Sequence, residues 1–430
     1  MILRFCVAAL LLLPAAATAQ GNPGPFGGLF GRTPERTGVD FTAVEFRTGV
    51  AGQFDDAVFV DERVAADTVP QSGYTAGVNT GLVFERQSDR FMFRANGGAT
   101  YQEFYRSPVF GATTYDAGLA VRGNVTTRLQ LEGQARYLRS PYFRLAPSYQ
   151  AVGPAVAIPG DPFHVRLLVN DSYDVTAGFF SQYAKHSSLR ASVSQRETRF
   201  NQARANSFDV LRAEAHWQRQ LNRSVALRAG YGRERIVQSA FPDDEFVHEL
   251  LDIGVDFARQ LPLSRRATIG FNTQTSIIKR PLTGRRYRVN GNVMLSKYFG
   301  RTGHASASLS RSTEFLPGFL EPMLSDAANG SLSGMPSPRT EWLTTISVGN
   351  GRFGFDSPEK FLTAHFSSRF NYAMTPKLGV YAQYAVYHYQ LPPTPMSVAV
   401  LGQVSRQAIT FGINTWIPIV NRVRAPRDPE

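Results

Sequence analysis

Three groupings in the chain have residue types and spacing that could do chemistry. Asp243, Asp244 and Glu245 with His248 bring carboxylates near an imidazole, the pairing that activates a water molecule. No second acid and histidine group stands at a matching spacing, so the segment reads as a solvated loop. His186 and Ser188 have the spacing of a base and a nucleophile, but they fall at a short turn. Gly349-Asn350-Gly351-Arg352-Phe353-Gly354 formally satisfies the dinucleotide fingerprint. It follows an alternating stretch and runs into Asp356-Ser357-Pro358, with no βαβ unit, so it reads as a glycine-rich turn. The one cysteine, Cys6, lies near the N-terminus, which removes disulfides, thiolate metal sites and a Cys nucleophile from a processed chain. The expectation is a protein with no catalytic residue, no metal and no cofactor.

The residues that remain are charged and recur at one phase of a pattern. Arg94, Arg122, Arg136, Arg190, Arg196, Arg212, Arg228 and Arg288 share a face with Glu85, Asp116, Glu132, Glu214, Glu234, Asp252 and Asp256. Rings of such side chains in a water-filled passage set ion selectivity, and an arginine excess favours anions. The same residues pairing across neighbouring strands would simply brace a wall.

The elements that must carry them alternate with period two. Ala267, Ile269, Phe271, Thr273, Thr275 and Ile277 oppose Thr268, Gly270, Asn272, Gln274 and Ser276, and Ala305, Ala307 and Leu309 alternate with serines. This places an apolar set on one side of a strand and a small polar set on the other. Short turns recur between pairs of such segments, at Gln87 to Arg90, Thr126 to Arg128, Lys185 to Ser187, Leu221 to Arg223, Gln260 to Arg265, Gly300 to Gly303 and Thr375 to Lys377. Longer connections separate the pairs. With a first strand near Phe41 to Phe54 and a last near Gln407 to Ile417, the count is about 16 strands, within 14 to 18. Pro317 to Lys360 is either an external loop or a further hairpin that makes 18.

Composition agrees. With 43% hydrophobic residues and 19% charged ones, the chain is neither disordered nor a bundle of membrane helices. A soluble sandwich would use strands of about five or six residues, whereas these run about 10 to 14, long enough to tilt across an apolar band of roughly 25 Å. The fold expected is all-β: a transmembrane, antiparallel, up-and-down barrel over residues 41–420, with a tail at 421–430. Aromatics near segment ends form its interfacial girdles: Tyr74, Phe91, Tyr101, Tyr115, Tyr173, Tyr183, Tyr231, Tyr287, Tyr298, Phe299, Tyr372 and Trp416.

Residues 1–19 read as a secretory signal, with Arg4, an apolar run from Phe5 to Leu13, and Ala17-Thr18-Ala19 before the cut. Residues 20–40 form a Gly/Pro-rich segment on the periplasmic side.

In these features the chain resembles bacterial outer-membrane β-barrels of the porin-like kind, over nearly its whole mature length. Thr410, Gly412 and Ile417 match the terminal-strand signal read by the barrel-assembly machinery, while Thr415 is polar where that signal is apolar. The resemblance implies an inward-folded third external loop, here Pro141 to Ser172, with Asp161 and Phe163 as constriction residues. Gly160-Asp161 is similar to the end of a loop motif in some general porins. Implied partners are outer-membrane lipid, lipopolysaccharide and the assembly machinery, with a homo-oligomer left open and no nucleic acid.

The function expected is a passive channel for small polar or anionic solutes, localised in the outer membrane of a Gram-negative bacterium. The alternative is a non-conducting barrel that serves surface attachment, or an export system, with the 20–40 segment as plug or tether. The formal charge of +12 fits both readings and fits contact with lipid phosphates.

Overall fold

A computed structural model describes residues 40–58, 71–105, 111–144, 164–201, 207–222, 225–239, 241–257, 261–264, 267–280, 284–300, 302–314, 322–355, 360–390 and 403–424. The strands are β1 (Asp40–Val58), β2 (Gln71–Gln87), β3 (Phe91–Tyr105), β4 (Ala112–Asn124), β5 (Leu129–Arg144), β6 (His164–Ala184), β7 (Ser187–Phe200), β8 (Phe208–Gln220), β9 (Val225–Gln238) and β10 (Phe241–Phe257). They continue as β11 (Leu261–Ser264), β12 (Ala267–Arg280), β13 (Gly284–Phe299), β14 (Gly303–Glu314), β15 (Met323–Ser337), β16 (Thr340–Phe353), β17 (Lys360–Ala373), β18 (Leu378–Gln390) and β19 (Gln403–Arg424).

Each strand pairs antiparallel with its sequence neighbours, and β1 pairs with both β2 and β19, so the sheet closes on itself. The segments β10 and β11 both pair with β12 and make one interrupted stave, which gives a barrel of 18 staves. The expectation of about 16 rises to 18 because Pro317 to Lys360 contains a hairpin: β15 and β16 meet in one register from Met323↔Phe353 to Gly334↔Trp342, with a shift before Ser337↔Thr340. Serines and glycines in β15 hide its alternation, since the inner phase is Ser325, Asn329, Ser331 and Ser333 and the lipid-facing phase opposite Leu309 and Ile346 is the small Ala328 and Gly330. Gly349 to Phe353 belongs to β16 and not to a turn, and the positive φ falls just past it, at Gly354.

The seam between the ends is long. It runs from Asp40↔Arg424 to Asp55↔Ala408, with one irregularity at Val44/Glu45. There β19 carries an extra residue, Ile419, beside Pro418, which has no N–H to give to a ladder. The terminal strand therefore extends past the expected Ile417 to Arg424.

Alternation sorts the faces. Val50, Leu82, Leu119, Val193, Ile253, Val293, Leu309, Ile346 and Phe411 are all exposed on the outer face, which is the reverse of a soluble core and fits contact with lipid. Tyr287 bounds this band at one end of β13, and Val289, Val293 and Leu295 carry its outer phase to Lys297 at the other. Nine of the expected girdle aromatics are exposed on the outside, while Tyr298 takes the inner phase of Asn290 and Ser296 and packs on His304 with ring centres 4.7 Å apart. Trp416 is a correction: it lies opposite Arg47 on the inner face, because Ile417 takes the outer phase. Phe299 also departs, folding over Gly303, whose Cβ would meet the ring at 2.3 Å.

The turns of two to four residues that follow β2, β4, β6, β8, β13, β15 and β17 all lie at one end, and every connection longer than five residues lies at the other, the arrangement in which the turn end faces the periplasm. Leu309→Arg, on the outer face, is expected to cost roughly 2–4 kcal/mol in urea titrations of the barrel in lipid vesicles. Ser308→Arg, one residue along and facing inward, is expected to change stability by about 0.5 kcal/mol or less.

Candidate functional site

The inner wall divides into an open, basic sector and a closed one. In the open sector each carboxylate is folded against the wall while the arginine that binds it projects. Glu132 on β5 receives Arg190 of β7 at 2.7 Å and Arg122 of β4 at 3.9 Å, and Asp174 on β6 receives Arg196 at 2.9 Å. The acid side chains are 23% and 28% exposed, and Arg122, Arg190 and Arg196 are 51%, 57% and 61% exposed. Arg136 stands in register with Asp174, and Arg94 with Glu85; both arginines are exposed. Strands β3, β4, β5 and β7 thus carry a cluster of cations whose counter-charges sit behind them.

A denser network continues on β8, β9 and β10. Arg212 binds Glu214 at 2.5 Å, Ser192 donates to Glu214 at 3.1 Å, and His216 lies between Glu214 (3.5 Å) and Asp252 (3.1 Å). Arg228 closes the chain on Asp252 at 2.6 Å and donates to the carbonyl of Thr273 at 3.1 Å. His216 reaches Asp252 across β9 because β9 offers Gly230 at that register; a Cβ there would meet His216 Nδ1 at 2.4 Å. Gly178 plays the same part on β6, between Glu132 and Ser192, and Gly118 beside Asn96 on the neighbouring pair.

Of the arginines expected in the lumen, two lie on the inner phase but are engaged by the wall. Arg228 is largely buried in the network, and Arg288 spends its guanidinium on the carbonyl of Ser325 and on Asp326, at 3.1 and 3.2 Å. Position in the alternation cannot distinguish a cation that projects from one consumed by its neighbours. Asp256 lies in β10 opposite Ala226, with its side chain outside the described residues, as are Asp161, Phe163 and most of the Pro141 to Ser172 connection. Asp243 to Glu245 belong to β10 and not to a loop, and His248 is buried against Glu234 at 2.9 Å. His186 occupies the turn before β7, which Ser188 has already entered.

The closed sector went unseen in the sequence. On β17, β18, β19 and β1 the inward residues Phe361, His365, Tyr387, Ala408, Arg406 and Asp55 are buried. His365 stacks on Tyr387 with ring centres 4.9 Å apart, and the Arg369 guanidinium lies 4.0 Å over the Tyr381 ring. Tyr381 fits flat against Gly412, where a Cβ would meet it at 2.4 Å. At the seam, Arg406 binds Asp55 through both Nε (2.6 Å) and a terminal nitrogen, Gln53 donates to Asp55 at 3.1 Å, and Thr410 donates to Gln53 at 3.1 Å. The pair is 351 residues apart in sequence, and the signal for it was an acid and an arginine on the inner phase of the first and last strands.

Two stability tests follow from these contacts. Gly230→Val is expected to cost about 1–3 kcal/mol through overpacking, most of it recovered in a Gly230→Val/His216→Ala double variant. Asp55→Leu alone is expected to cost about 3–5 kcal/mol by stranding Arg406, while Asp55→Leu/Arg406→Met is near wild type. Urea titration in vesicles reads both cycles.

No protein-family model matches the chain, and no curated protein matches it. Among solved structures, Acinetobacter baumannii OccAB3 is similar at 10% identity over 87% of this chain and 99% of that one, with a TM-score of 0.46. Pseudomonas aeruginosa OpdL is similar at 12% identity over 88% and 99%, with a TM-score of 0.46. The siderophore receptor PirA from Pseudomonas aeruginosa is similar at 10% identity over 86% and 80%, with a TM-score of 0.40. The closed register and the apolar outer face define the chain as a closed, antiparallel β-barrel of 18 staves that crosses a membrane.

Proposed function

We propose that the barrel is a passive channel for small anionic solutes, guided by the arginines of β3, β4, β5 and β7. The observation that carries this reading is the layering of charge: Arg122, Arg190 and Arg196 project, while Glu132 and Asp174 lie behind them. A passing carboxylate or phosphate meets guanidinium donors first and can exchange bidentate bonds from one to the next along the wall. Barrels of 16–18 strands are wide enough for an aqueous passage. Ion pairs already made to wall acids keep each cation from binding one anion too tightly, which a conducting site requires.

The buried inner faces of β17, β18, β19 and β1 support the rival reading, a lumen filled across its width. Planar-bilayer recording decides between them. The channel reading expects stepwise conductance and a reversal potential displaced towards the anion in a salt gradient. Substituting Arg94, Arg122, Arg136, Arg190 and Arg196 by Gln is expected to abolish that displacement. A tight seal by folded wild-type protein would overturn the channel.

A further inference from the structure

Charge at the turn end of the barrel is one-sided. Each short turn there carries a Lys or an Arg, among them Arg90, Arg128, Lys185, Arg339 and Lys377, and Asp89 is the single acid in those turns. Strand ends leading into them add Arg86, Arg219, Lys297 and Arg422, all exposed. These four do not face the lumen. Arg86 shares the phase of Leu82, Arg219 that of Leu211 and Lys297 that of Leu295, and Arg422 stands opposite Thr42 on the outer face of β1. Among the described residues, Asp40 and Asp89 are the acids on this outer rim.

The opposite end is balanced. There Arg139 faces Asp171 in register, Arg199 binds Glu197 at 2.5 Å, Arg311 binds Asp326 at 2.7 Å, and Arg233 stands opposite Glu249. The excess at the turn end is therefore not a general property of the rims.

Depth identifies the occupant. On the outer face of the same end, Trp342 and Phe370 stack with ring centres 5.7 Å apart and Tyr372 is exposed, which marks the level where hydrocarbon gives way to headgroups. Lys297 follows the outward-facing Leu295 at the last outer position of β13, where a long cationic side chain keeps its stem in the apolar layer and its head at the phosphates. We infer that the turn-end cations form a belt that binds anionic glycerophospholipid headgroups of the periplasmic leaflet. A phosphodiester accepts charge-assisted hydrogen bonds from guanidinium and ammonium groups, and each cation near an anionic surface raises partition about fivefold at low salt. Because these side chains point away from the lumen, a lipid fits them better than a permeating solute, and the inference does not depend on conduction.

The test uses the full-length barrel in mixed micelles of phosphatidylcholine and phosphatidylglycerol, with bound lipid counted by native mass spectrometry. Wild type is expected to retain phosphatidylglycerol over phosphatidylcholine, and added salt to erase the preference. The variant Arg86→Ser/Arg128→Ser/Lys185→Ser/Lys377→Ser is expected to lose it. A control, Arg285→Ser/Arg352→Ser/Lys360→Ser at the opposite rim, is expected to keep it. Folding of each variant is read from heat-modifiable mobility, and a turn-end set that fails to fold is replaced by the single variants, each expected to lower retention. No preference in wild type, equal loss in the control, or a turn-end variant that alters anion selectivity while keeping its lipid would overturn the belt.

Discussion

Within hydrocarbon an unpaired peptide group has no water to turn to and costs several kcal/mol, so every strand of a membrane sheet needs two neighbours. In this chain the requirement falls hardest on the first and last strands. They find each other from Asp40↔Arg424 to Asp55↔Ala408, and no hairpin turn helps them. A contact between the two ends of a chain of this length is slow to form and gives nothing until most of the wall exists. The Arg406–Asp55 pair, held by Gln53 and Thr410, marks the register of that seam from inside, where an ion pair misplaced by one residue would point a charge into lipid.

Closure at 18 staves then fixes what the inner surface can do. Adjacent strands lie about 4.8 Å apart, too close for two large polar side chains side by side at every register. The wall answers with glycines. Gly230 and Gly118 clear single positions so that His216 and Asn96 can lie over a neighbouring strand, and Gly178 leaves room beside Ser192. Carboxylates end up against the backbone and cations above them because arginine is the longer side chain and keeps its charge in water while its stem covers the wall. The layering is thus a consequence of side-chain length on a small-residue surface.

Most of the architecture was legible because lipid on one side and polar contacts on the other impose a strict period of two, and the turns interrupt it at regular places. The hairpin of β15 and β16 was only half legible: Ser325, Asn329, Ser331 and Ser333 alternate with little that is large, and a pattern read from hydrophobicity is silent there. Face assignments were legible, while the fate of individual side chains was not. Arg196 and Arg288 occupy equivalent phases, yet one projects and the other is spent on Ser325 and Asp326, because the difference lies in which strands the closed sheet brings alongside. The closed sector depends on the same long-range neighbours. Tyr381 against Gly412 and His365 against Tyr387 are register events, and register follows from bulges and turn lengths that residue types only partly encode.

Cations occupy three places on this barrel, and each is set by a different part of its surroundings. Inside, arginines of β3 to β7 keep acids behind them, so their field reaches the lumen only where the side chains project beyond the pair. At the long-connection rim, Arg199 and Arg311 have acids beside them on the same face and contribute little field at a distance. At the turn rim, Arg86, Arg219 and Lys297 face outward in an arc that holds few acids. A net positive rim in water would repel itself and loosen the turns that carry it. Next to a leaflet that supplies phosphates, the same charges hold the short turns at the headgroup plane, which is the depth at which the sheet's apolar band must end.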